Sequence, residues 1–159
     1  MSPLVPDVKV RTCLWFDGNG EEAAQFYVSL LPDSAITGLH RADPDAPALI
    51  IDFTLAGAPY QILNGGPYYR LTPAVSISVQ TDDQAETDRL WSALTAQGGV
   101  ESRCGWLSDR FGLSWQIVPR ALTEMLMDPD REAAARVHAA MTEMVKFDLP
   151  VLQKAFRGA

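Results

Sequence analysis

"YQIL", Tyr60 to Leu63, returns as "WQIV", Trp115 to Val118. An aromatic residue, a Gln, an Ile and an aliphatic residue recur in the same order. Self-similarity of this kind points to two copies of one supersecondary unit, before any single element is assigned.

Working outward from each copy, the order of periodicities also repeats. In the first, "VKVRTCLWF", Val8 to Phe16, reads as a strand. Ala23, Phe26, Tyr27, Leu30 and Leu31 follow at helical spacing until Pro32 ends the helix. Three short strands are then expected around Ala35 to Arg41, Ala48 to Leu55 and Pro59 to Asn64, and the turn-like "DPDAP" and "AGA" between them permit only antiparallel neighbours. In the second copy "AVSISVQ", Ala74 to Gln80, alternates as a strand, and an Asp in "TDDQ" caps a helix carrying Leu90, Trp91 and Leu94. "VESRCGW", "LSDRFG" and "LSWQIVP" supply three more strands. Aligning Phe26-Tyr27 with Leu90-Trp91 superposes Thr12 on Ser76.

The expected class is α+β, built from two βαβββ modules over about 8–65 and 74–119 that face one another across a cleft. Residues 120–159 read as a helical extension of the same domain, with Asp128-Pro129 opening a helix and Ala133, Val137, Met141, Met144 and Val145 on one stripe.

A chain of 159 residues suits one domain. Its net charge of −7 and thirteen unclustered basic residues speak against nucleic acid as a partner. No apolar run approaches the roughly 20 residues that cross a bilayer, and "MSPLVPDVKV" has no basic, then apolar, leader pattern, so a cytoplasmic protein without membrane contact is expected. Cys13 and Cys104 fit neither a redox pair nor a zinc pattern and read as free thiols.

"GNGEEA", Gly18 to Ala23, satisfies G-x-G-x-x-A, with Asp43 at a suitable distance downstream. The short links that follow exclude the parallel sheet a dinucleotide site requires, and Glu21 and Glu22 would repel a pyrophosphate at that helix start. With only His40 and His138, the chain is poor in metal ligands. Asp109 in "SDRFG" either bonds the N–H groups of a turn or meets a substrate. Tyr68, Tyr69 and Arg70, after "NGGP", either line a ligand mouth or cover the core.

Four stretches, "LWFDGNGEEAAQFYVSLLPDS", "NGGP", "CGWLSDRFGLSWQIVP" and "MVKFDLPVLQKAFRG", resemble the PhnB-like branch of the vicinal oxygen chelate superfamily. That superfamily holds glyoxalase I, bleomycin-resistance proteins and extradiol dioxygenases, and the branch is often labelled 3-demethylubiquinone-9 3-methyltransferase. The resemblance implies glyoxalase-like half-barrels and a homodimer. It also places the metal-ligand positions of the metal-using members at Thr12, Gln61, Ser76 and Gln116. None of these is His, Asp or Glu, and neutral hydroxyls and amides hold a divalent ion poorly against water, so neither metal nor cofactor is expected.

The reading at this point is a metal-free small-molecule-binding protein. Its candidate ligand-binding residues are Thr12, Gln61, Ser76, Gln116, Trp106, Asp109 and Tyr68. Alternation sets Trp15 opposite Thr12 and Trp115 opposite Gln116, so both are expected on the outer face and Trp106 as the wall of the site. Two alternatives stand beside it: a glyoxalase- or dioxygenase-like enzyme using a metal elsewhere or Asp109 as its acid, and the methyltransferase of the family label.

Overall fold

The computed structural model describes residues 8–159, so the segment read for a targeting signal falls mainly outside the described residues. The chain forms two compact units, one ending at Leu71 and the other running from Thr72 to Ala159.

The first unit contains β1 (Thr12–Phe16), α1 (Gly20–Val28), β2 (Ala35–His40), β3 (Ile50–Leu55) and β4 (Ala58–Asn64). Its sheet runs β1-β4-β3-β2, with β1 parallel to β4 and the other pairs antiparallel. Alternation buries one face: Leu14, Phe16, Ile51, Phe53, Leu55 and Ile62 lie under α1, which contributes Ala23, Ala24 and Tyr27. The strand expected from Val8 starts only at Thr12. The next rung of the ladder would set Arg11 against Pro59, which has no N–H to offer.

Helix α1 approaches the sheet closely because Gly20 has no side chain. A Cβ there would collide with Ile62 Cγ2, and the Gly20 N–H donates to Asn64 Oδ1 at 2.9 Å. The glycine of "GNGEEA" thus serves helix–sheet packing, and the sheet beside it is mostly antiparallel.

The second unit repeats the plan with β5 (Ser76–Thr81), α2 (Gln84–Thr95), β6 (Val100–Glu101), β7 (Trp106–Ser108) and β8 (Ser114–Pro119). Strand order is β5-β8-β7-β6, again with the outer β5 parallel to its neighbour. Ile77, Val79, Leu107, Trp115 and Ile117 form the buried face, against Leu90, Trp91 and Leu94 of α2. Asp83 caps α2 by accepting from Glu86 N at 2.8 Å. The middle strand falls at Trp106–Ser108, taking the last residue of "VESRCGW" and only the first two of "LSDRFG". A turn precedes it, in which Cys104 and Gly105 both take positive φ.

Three helices complete this unit: α3 (Arg120–Leu126), α4 (Arg131–Thr142) and α5 (Leu149–Arg157). The cap of α4 is Asp130, which accepts from Ala133 N at 3.0 Å; Asp128, expected there, instead accepts from Asp130 N at 2.9 Å. Leu122, Val137, Phe147 and Leu152 form a core of their own, against which Cys104 and Val118 pack. The segment is tied down by backbone bonds from Cys104 N to Met144 O and from Gly105 N to Val145 O. The Gln84 side chain adds two more, donating to Phe147 O at 2.9 Å and accepting from Leu149 N at 2.7 Å. Among the described residues no helix is long and apolar enough to cross a membrane.

Candidate functional site

Sheet register decides which side chains share the face turned away from the helix. In the second unit Ser76 pairs with Ser114, and Ser114 with Ser108, giving one row of three hydroxyls across three strands. The next row is Ser78, Gln116 and Trp106. Gln116 Nε2 donates to Ser76 Oγ at 2.9 Å, joining the rows. Beside them opens a pocket of about 280 Å³, lined by Trp106, Ser108, Ser114, Val100, Ser102 and Pro73 among others. Three expected residues, Ser76, Gln116 and Trp106, therefore share one face.

Asp109 stands apart from that face. It is 3% exposed, and its carboxylate accepts from Phe111 N at 2.8 Å, Leu113 N at 3.1 Å and Trp115 Nε1 at 2.8 Å. Trp115 belongs to the helix-facing side, as alternation requires. Of the two roles open to Asp109 from sequence, the structure displays the turn anchor.

In the first unit the register separates two residues that were expected together. Gln61 pairs with Cys13 and with Asp52, whereas Thr12 pairs with Tyr60 and lies on the helix-facing side. The offset arises in the strand-to-helix link. Three residues, Asp17 to Asn19, join β1 to α1, but only Asp82 and Asp83 join β5 to α2. An alignment anchored on the helices is therefore one residue out of step on the strands, and Cys13, not Thr12, corresponds to Ser78 beside Gln116. The same step brings Trp15 to the inner side, in line with Cys13, against the expectation of an outer position.

Asp52, which sequence reasoning passed over, is the hub of this face. Its Oδ1 accepts from Arg11 Nη1 at 2.7 Å and from Gln61 Nε2 at 2.9 Å. The signal was a lone carboxylate at an alternating position in the apolar run "IIDFTL". Burial, and then the negative charge of Asp52, raise the Cys13 thiol above its ordinary value. The thiolate fraction at neutral pH is thereby reduced, so Cys13 should alkylate with iodoacetamide several-fold more slowly than free cysteine at pH 7.5. A rate equal to that of free cysteine would contradict this picture.

Tyr68 is 80% exposed on the loop after "NGGP". Its neighbour Tyr69 makes the contact, edge-on to Trp15 at 4.7 Å between ring centroids, while Trp15 Nε1 donates to Gly66 O at 2.8 Å. Among the described residues no three His, Cys, Asp or Glu side chains converge as a metal site.

Residues 8–118 match the family described as 3-demethylubiquinone-9 3-methyltransferase. Among solved structures, a PhnB protein from Bacillus cereus is 29% identical with a TM-score of 0.65, over 70% of this chain and 99% of that one. A Pseudomonas aeruginosa protein is 23% identical, with a TM-score of 0.58 over 70% and 97% of the two chains. The fosfomycin resistance protein FosX from Mesorhizobium loti shares the fold at 14% identity, with a TM-score of 0.53 over 77% and 98%. No curated protein matches the chain significantly. Helices α3 to α5 lie beyond the family match. Over the two repeated modules, the chain belongs to the PhnB-like 3-demethylubiquinone-9 3-methyltransferase family, within the vicinal oxygen chelate superfamily.

Proposed function

We propose that the chain binds a small molecule on the inner face of its second sheet and does so without a metal ion. The observation that carries this reading is the pocket of about 280 Å³ flanked by Trp106, Ser108 and Ser114, beside the Gln116–Ser76 pair. Its size lies at the lower edge of the ~300–1,000 Å³ common for small-molecule sites, and an aromatic wall with a few polar groups is the usual composition of such sites. The donor set supports the metal-free part. In the second unit Ser76, Ser78 and Gln116 offer two hydroxyls and a neutral amide. In the first, taken by itself, Cys13 and Gln61 offer a raised thiol and a neutral amide, and Asp52 is already paired with Arg11. The cytoplasmic location and the homodimer expected from sequence and resemblance belong to the same proposal.

Methyl transfer, named in the family description, has less support in this geometry. Neither sheet is a parallel doubly wound sheet, and Gly20 is committed to packing against Ile62. Acid–base catalysis through Asp109 would have to displace the three N–H donors that hold it.

The test is a titration of chelator-dialysed protein with a panel of aromatic, aliphatic and polyol compounds, followed by tryptophan fluorescence, then repeated with Mn²⁺, Zn²⁺ or Ni²⁺ added. At least one class should bind, with the same affinity in both series, and Trp106→Phe should remove most of the response. Binding that appears only with metal, or none at all, would overturn the proposal.

A further inference from the structure

Resting on that reading of the pocket, we infer that it selects an uncharged, flat molecule carrying acceptor oxygens, and that the Ser114 hydroxyl is the donor that determines this choice. Among the described residues, no Lys, Arg or His lines the pocket, and its ionisable lining residue is acidic Glu101. An anion entering would give up hydration without meeting a counter-charge. A cation gains little, because Glu101 is exposed, so that solvent screens its charge, and it pairs with Leu107 on the helix-facing side, away from the Ser114 row. An uncharged ligand is what remains.

The polar groups specify the rest. Ser114 is 3% exposed, yet its hydroxyl has no hydrogen-bond partner among the described residues and is not sealed off, so it opens into the pocket it lines. The hydroxyl of Ser108, directly opposite, and the indole N–H of Trp106 are likewise without a partner among the described residues. Indole only donates, and a hydroxyl donates to whatever accepts, so the site is rich in donors. A carbonyl oxygen on the ligand satisfies the Ser114 donor, while a planar ring covers the half-buried Trp106.

Three probes separate the terms: coumarin, coumarin-3-carboxylate and naphthalene. Each is titrated into the isotope-labelled full chain, and the indole N–H signal of Trp106, assigned by its loss in Trp106→Phe, is followed in the wild type and in Ser114→Ala. Coumarin should move the signal saturably, the carboxylate should bind about tenfold more weakly, and Ser114→Ala should weaken coumarin about fivefold while leaving naphthalene unchanged. If the carboxylate binds as tightly as coumarin, or Ser114→Ala changes nothing, this inference is overturned and the pocket still stands as a binding site. If all three probes leave the Trp106 signal unmoved and the broader panel is silent as well, both the inference and the reading beneath it fall.

Discussion

Asp109→Ala should lower the stability of the protein by about 4 kcal/mol, the sum expected when a buried carboxylate leaves three donors without an acceptor. Two of these donors belong to Leu113 and Trp115, which are 0% and 1% exposed, so water cannot replace the lost oxygen. Two backbone bonds also close the turn. Asp109 N bonds to Leu113 O at 2.8 Å and Gly112 N to Asp109 O at 2.9 Å, but both depend on the conformation that the side chain fixes. Asp109→Asn should fall between the wild type and Ala, since it keeps one acceptor oxygen and turns a donor toward donors. Ser108→Ala, one residue away and facing the pocket, should cost less than about 1 kcal/mol. Urea midpoints at constant slope provide the comparison; a loss below about 1 kcal/mol in Asp109→Ala would show that the carboxylate is not the anchor described.

Gly105→Ala should be nearly as damaging, for a steric reason. Gly105 is at φ 77°, a conformation costing a non-glycine residue about 1 kcal/mol or more, and its added Cβ would collide with the Phe147 ring and come within 2.8 Å of Ile117 O. Overpacking of a buried site adds about 1–3 kcal/mol. Because Gly105 N bonds to Val145 O and Ile117 N to Gly105 O, the residue cannot move away without parting the hairpin from β8 or from the segment before α5. The expected result is a loss of about 3 kcal/mol, accompanied by faster proteolysis between Thr142 and Asp148. In a Phe147→Leu background the same substitution should cost less, since part of the collision is gone. Strictly additive losses would refute the contact.

Much of the architecture was legible before any coordinates. The repeat of "YQIL" as "WQIV", the change from alternation to helical spacing after each first strand, and the hairpin-length links were enough to specify two βαβββ modules. Strand parity correctly separated Trp115 from Gln116. What failed was registration between modules, because a helix can begin one residue later without disturbing its own periodicity, and only cross-strand pairing shows the slip from Cys13 to Thr12. Asp52 was missed because a half-buried ion pair draws its meaning from Arg11, 41 residues away in sequence. Asp109 could be narrowed to two roles but not to one, since a buried acceptor and an active acid have the same local sequence.

Gln84 has a consequence of a historical kind. It lies inside the stretch shared with the family, yet both ends of its amide bond the connection leading into α5, which lies beyond that stretch. Its identity is therefore a record of the tail. A relative ending near residue 118 lacks the connection that this amide holds, which leaves it only Asp88, one turn further along α2. Relatives with and without the three helices should therefore differ at this position as well, so one side chain inside the shared modules reports whether a tail is docked on them.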